Sequence, residues 1–158
     1  MTGRDKVVKF TVNAAFFREI KEDHHHLRQI LHRLHELASH PPALENHPRE
    51  FVSLLAELRD QLAFHFALEE AYGYFEDAVN REPRLHAEAG KLRDQHAELY
   101  LVAQQLADTT AMDAASGALD IQSVSERFLD FDTLLKSHES AELSLILEAI
   151  NQDIGGGD

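Results

Sequence analysis

Six side chains of this sequence have the types and spacing to hold cations between them: His24, His65, Glu69, His96, His138 and Glu142. His65 and Glu69 form one His-x-x-x-Glu step, and His138 and Glu142 form another. A lone histidine precedes each step, His24 by 41 residues in the first case and His96 by 42 in the second. The order therefore repeats as a doubled plan. Imidazole nitrogen with carboxylate oxygen and no sulfur suits iron or manganese, and zinc is also accommodated. If each carboxylate bridges two ions, the six side chains fill about eight of the roughly twelve positions of an octahedral pair. The rest are left for a bridging oxygen and for open or solvent-filled sites.

His-x-x-x-Glu alone is weak evidence in a chain with eleven histidines. A third instance, His32 and Glu36, lies off the face that carries His24 and reads as a solvated pair. His25 and His26 rotate away from that face and read as surface residues, although a one-step change of register would bring His25 in. His35 shares the face of His24 but lies about three turns away. His40, His47 and His86 fall in or near connections. The competing explanation for the six is a metal-free polar core satisfied by its own hydrogen bonds. Against it stands the doubled spacing, because a buried glutamate is costly unless paired, protonated or bound to metal.

Four helical segments must position these groups. Pro41, Pro42 and Pro48 bracket one connection, "NREPR" around Pro83 marks a second, and "DTTAMDAASGALD" with Gly117 a third. The segments between them predict helices over about 13–39, 48–81, 84–108 and 118–152. Pro48 and Pro83 suit the first turn of a helix, and Ser123 with Glu126 has capping-box spacing. Residues 1–12 read as an arm, 13–152 as the bundle and 153–158 as a flexible tail. Short connections imply antiparallel neighbours, so the expected fold is an all-α, up-down-up-down antiparallel four-helix bundle.

The core stripes follow from steps of three and four. They are Phe17, Ile20, His24, Leu27, Leu31, Leu34; then Phe51, Leu55, Leu58, Leu62, His65, Glu69, Tyr72. The third is Leu85, Ala89, Leu92, His96, Leu99, Ala103, Leu106, and the fourth Phe128, Phe131, Leu135, His138, Glu142, Leu145, Ala149. Each is apolar until a histidine interrupts it, and none contains lysine or arginine. With about 1.5 Å of rise per residue, antiparallel helices bring the four histidines to one layer.

Composition narrows the partners. With 158 residues, 44% hydrophobic and 27% charged, the chain reads as one soluble globular domain. A net charge of −13 argues against nucleic acid or an anionic membrane and suits cations. No apolar run approaches a membrane span, and "MTGRDKVVKF" lacks the apolar block of a secretory signal. A cytoplasmic location is the default. The absence of cysteine excludes disulfides, thiolate metal sites and iron–sulfur clusters.

The motifs resemble those of the hemerythrin-like superfamily, specifically the HHE cation-binding domain, over nearly the whole chain. "EDHHHLR" is similar to the first-helix motif, an acidic residue then His-x-x-aliphatic, which selects His24. "HFALEEAYGYF" resembles the second-helix motif and carries over His65 and Glu69. "RDQHAEL" resembles the third with His96, and "SHESAEL" the fourth with His138 and Glu142. The resemblance implies a non-haem centre of two iron ions with an oxo or hydroxo bridge. It also implies that oxygen, peroxide or nitric oxide binds at an open iron position. Histidine followed by glutamate at the fourth position separates the pattern from ferritin-like bundles, which use Glu-x-x-His.

Two departures bear on function. Oxygen-carrying hemerythrins have a second histidine one turn after that of the third helix, where this chain has Tyr100. Their fourth-helix carboxylate is an aspartate five residues on, where this chain has Glu142 four residues on. Both put reversible oxygen carriage in doubt. Tyr72 and Tyr100 flank the expected layer as core aromatics or as hydroxyls reaching the open position, while Glu70 and Glu139 point away from the stripes. Three functions compete: a diiron protein that binds or senses a small molecule, a redox enzyme that decomposes peroxide or reduces a small oxidant, and a metal-stabilised regulatory module. The last would signal through a homodimer or another protein. Family members that repair iron–sulfur centres carry a cysteine-bearing segment, which counts against that role here.

Overall fold

Four apolar stripes at helical spacing can be buried together only if the helices turn those faces to a common axis. The computed structural model describes residues 22–71 and 83–156, and among them it contains helices and no strand. Residues 22–39 are helical (α1). A short helix α2, Pro41–Asn46, occupies the first connection, and α3 runs Pro48–Ala71, α4 Pro83–Ala115 and α5 Ile121–Gly156. Phe17, Ile20, Tyr72, the arm 1–12 and the expected helical stretches 13–21 and 72–81 lie outside the described residues.

Cross-helix contacts show neighbouring helices to be antiparallel. Asp23 of α1 meets His65 of α3, whereas Arg33, further along α1, donates to Glu50 near the start of α3 at 2.6 Å. Between α3 and α4 the contacts pass from Arg59–Asp108 (3.1 Å) to Glu69–His96 (3.1 Å). Between α4 and α5 they pass from Arg84–Glu148 through Gln95–His138 (2.7 Å) to Thr109–Arg127 (3.2 Å). His35 of α1 meets Asp132 of α5 at 3.1 Å, closing the ring. The fold is an all-α, up-down-up-down four-helix bundle.

Three helix ends differ from the sequence expectation. α4 continues beyond 108 to Ala115, because 109–115 contain neither proline nor glycine. It stops in a Schellman motif, with Ala118 N–H donating to Asp113 O (2.8 Å) and Gly117 N–H to Ala114 O (3.3 Å). Gly117 adopts φ +74°, a conformation open to glycine at little cost. α5 is capped by Asp120, whose Oδ1 accepts the Ser123 N–H at 3.1 Å, so Ser123 is inside the helix and is not its cap. α5 also extends through 153–156, part of the expected tail.

The stripes bury as two apolar clusters. The larger joins Leu27, Leu31 and Leu34 to Leu55, Leu58, Leu62, Leu99, Leu106, Phe131 and Leu135, with Phe51 edge-on to Phe128 at 6.1 Å. The smaller joins Leu85, Ala89 and Leu92 to Leu145 and Ala149. Each fully buried leucine or phenylalanine contributes about 1.5–3 kcal/mol. A polar layer divides the clusters: His96 lies between Leu92 and Leu99 on α4, and His138 with Glu142 between Leu135 and Leu145 on α5. Among the described residues no helix is long and apolar enough to cross a membrane.

Candidate metal centre

Five of the six expected side chains form a continuous path across that layer. His65 Nε2 is 2.9 Å from Glu69 Oε1, and Glu69 Oε2 is 3.1 Å from His96 Nε2. His96 Nε2 is in turn 3.3 Å from Glu142 Oε1, which also contacts His138 Nε2. Each glutamate therefore touches two histidines, one on its own helix and one on α4. All five residues are buried. His24, on α1, is half-buried beside them, its ring 5.9 Å from that of His65.

The other ring nitrogens explain why the Nε2 atoms face inward. His65 Nδ1–H donates to Asp23, which also accepts from the Gln61 amide. His138 Nδ1–H donates to Gln95 Oε1 at 2.7 Å, and His96 Nδ1–H to Glu70 Oε1 at 3.3 Å. An imidazole held through Nδ1–H presents its Nε2 lone pair in a fixed direction, as metal-ligating histidines do. The partners differ in charge: a buried carboxylate for His65, an exposed one for His96 and a neutral amide for His138. Phe66 completes the packing, stacked on His96 at 4.1 Å and 7° and edge-on to His138 at 5.9 Å.

The layer is short of permanent positive charge. No lysine or arginine is among the buried residues described, which include Asp23, Glu69, Asp132 and Glu142. Among the buried residues described, protons on the imidazoles are the remaining source. Burial alone would lower the pKa of His65, but hydrogen bonds to Asp23 and Glu69 outweigh it and push the value up to about 10. Burial likewise opposes charge on His96, and Glu142 and Glu69 raise it to about 9. Burial would raise Glu69, yet contacts with His65 and His96 bring it down to about 2. His24 has no such carboxylate contact, and burial, aided by nearby His65, lowers its pKa.

These residues fit a cation site. Glu69 Oε2 and His138 Nε2 are buried without a hydrogen-bond partner, an arrangement that costs about 1–3 kcal/mol per group when nothing else occupies the atom. The short approaches to them lack hydrogen-bond directionality, so distance alone does not satisfy them. Ligand atoms of His96, His138 and Glu142 lie within 4.8 Å of one another, close enough to share one ion. A cation at the Nε2 atoms would replace the protons that those nitrogens otherwise need.

A cavity of about 1350 Å³ reaches the layer between α1 and α5. His24, His65, Glu69 and Glu142 line it, and Arg28, Lys136 and Glu139 also contribute to its wall. His96 and His138 do not line it, and their rings pack against Phe66. The two halves of the centre thus differ, one enclosed and one open to the cavity.

The remaining residues singled out in the sequence are placed as follows. His25 and His26 are exposed, and His32 pairs with Glu36 at 2.9 Å on the surface. His35 holds the buried Asp132, away from the layer. Tyr100 is half-buried and is not in the cavity wall. Glu70 is exposed and reaches His96 from behind. Asp23, Gln95 and Phe66 were missed by the sequence reading. The acidic residue before His24 in "EDHHHLR" was a usable signal for Asp23, whereas Gln95 and Phe66 gave none.

A helical bundle with a buried, doubled histidine–carboxylate layer defines a cation-binding class of protein. The family model of the hemerythrin HHE cation binding domain matches residues 15–150, and the chain belongs to that family. No curated protein and no solved structure matched it.

Proposed function

We infer that this chain holds two iron ions between its helices and binds or senses dioxygen or a related small molecule, peroxide or nitric oxide, there. His24, His65, His96 and His138 supply nitrogen ligands, and Glu69 and Glu142 supply carboxylates shared between the ions. The observation that carries this reading is the path His65–Glu69–His96–Glu142–His138, in which each carboxylate contacts histidines of two helices. When bound, the irons supply one-electron redox chemistry and an open position for a small ligand. The protein's part is to fix the imidazoles through Asp23, Glu70 and Gln95, to pack the His96–His138 half against Phe66, and to admit a ligand through the cavity. Metal analysis of protein purified without added metal tests the reading. About two irons per chain are expected, with iron lost in Glu69→Ala and Glu142→Ala; iron retained in both variants would refute it.

The cavity also supports a second reading, a redox enzyme that decomposes peroxide or reduces a small oxidant. Such an enzyme needs a proton donor at the open position, and Tyr100 is not in the cavity wall. Stopped-flow mixing of the diferrous protein with oxygen separates the two. Reversible uptake supports binding, and irreversible consumption with peroxide turnover supports catalysis.

A further inference from the structure

Glu139 adjoins His138 in sequence but faces another part of the centre. Around α5, Glu142 and Glu139 lie about 40° and 100° from His138. His138 turns to α4, where it meets Gln95 and His96. Glu139 turns to the cavity between α1 and α5, whose wall it shares with His24, His65, Glu69 and Glu142. It is half-buried, and among the described residues no hydrogen bond or ion pair reaches its carboxylate. Arg28 lines the same cavity but is exposed and makes no ion pair with it. A carboxylate half-withdrawn from water into a cavity wall loses part of its hydration, which a partner there would restore. The open half of the centre is less closely knit than the enclosed half, since His65 contacts Glu69 while His24 stands back from the carboxylates.

We propose that Glu139 is a seventh protein ligand, binding the cation held by His24, His65 and Glu69 on the cavity side. This rests on the two-cation reading above. It makes the centre chemically asymmetric: the enclosed ion is held by His96, His138 and the two shared carboxylates, whereas the cavity-side ion gains a terminal carboxylate at its exposed face. An extra anionic oxygen favours the higher oxidation state of iron and occupies a position that an incoming small molecule would have to share or displace.

The test is anaerobic titration of the metal-free protein with cobalt(II), following the visible d–d bands, in wild type, Glu139→Gln and Ser140→Ala. Wild type and Ser140→Ala, which alters the same wall, are expected to bind two equivalents. In Glu139→Gln the first equivalent is expected to bind as in wild type, and the second at least about tenfold more weakly with altered band intensity. Glutamine is isosteric, and helical circular dichroism of the metal-free variant verifies its fold. Should Glu139→Gln nevertheless be unfolded, Glu139→Asp, which keeps the charge but draws it back, is expected to show the same selective loss. Two equivalents bound with unchanged affinity and spectrum in the folded variant would overturn the role of Glu139 alone. A single equivalent in wild type would overturn the two-cation reading and the proposal with it.

Discussion

Asp23 accepts a hydrogen bond from Nδ1 of His65, and both side chains are buried. The pair joins α1 to α3 at the level of the polar layer and fixes which nitrogen of His65 faces Glu69. It also makes His65 the most electron-rich of the three buried imidazoles, because its partner is an anion shielded from water.

Replacing Asp23 should therefore act on the centre without touching a proposed ligand. Asp23→Asn is expected to weaken metal binding by about 10–100-fold. In the metal-free protein it should also bring the His65 pKa down from about 10, since Asp23 is among the principal groups raising it. Competition against a chromophoric chelator measures the first effect, and nuclear magnetic resonance titration of the imidazole measures the second. Wild-type affinity together with an unmoved His65 titration would contradict this role.

Protons and cations compete for the same nitrogens, which fixes the sign of the pH dependence. The folded-state pKa values of His65 and His96, about 10 and 9, lie above the ordinary 6.5. Their contribution to metal-free stability is full below 6.5 and is lost as pH rises through 9 to 10. Glu69, lowered from 4.5 to about 2, contributes fully above 4.5 and is lost as pH falls through 2. The metal-free fold should be most stable at about pH 5–6. Metal binding needs the imidazoles deprotonated, so it releases protons and strengthens with pH. The difference in Tm between metal-loaded and metal-free protein should widen from pH 5.5 to 8.5, as calorimetry would record. A difference that stays flat or narrows would contradict the competition.

Phe66 is expected to be the packing residue on which the site depends most. It is 5% exposed and contacts the rings of His65, His96 and His138. Phe66→Ala should destabilise the protein by about 3–5 kcal/mol, measured by urea denaturation of the metal-free form. Phe66→Leu, which leaves a smaller void, should cost less. A loss below about 1 kcal/mol for the alanine variant would mean that the layer can collapse around the gap.

The fold was legible because burial repeats along the helices. Every described residue of the stripes on α3, α4 and α5 is buried, from Phe51 to Glu69, Leu85 to Leu106 and Phe128 to Ala149. Helix ends were less legible, since "DTTAMDAA" is polar without being a helix breaker, and Asp120 could not be preferred to Ser123 as a cap before the turn at Gly117 was known. Within the site, the spacing picked out side chains on the inward faces. It did not find their supports. Gln95 reaches His138 from the flank of α4, Glu70 reaches His96 from the surface, and Phe66 lies beside its stripe; each depends on how far neighbouring helices are rotated, which period alone does not specify. Glu139 was read as turned away from the stripe, and it is, but that direction is into the cavity.

Two glycines of the bundle should respond to alanine with opposite signs. Gly117 has φ +74°, and a Cβ there would meet no atom within 4 Å. Gly117→Ala therefore carries only the backbone cost of the left-handed conformation, about 1–2 kcal/mol, with asparagine milder. Gly90 lies inside α4 with equally open space around its Cα, so Gly90→Ala should stabilise by about 0.5–1 kcal/mol through helix propensity. Denaturant unfolding of the metal-free variants measures both. Neither position lines the cavity or contacts the layer, so metal affinity should be unchanged in the two proteins. Equal shifts of the same sign would mean that a left-handed turn at Gly117 does not end α4.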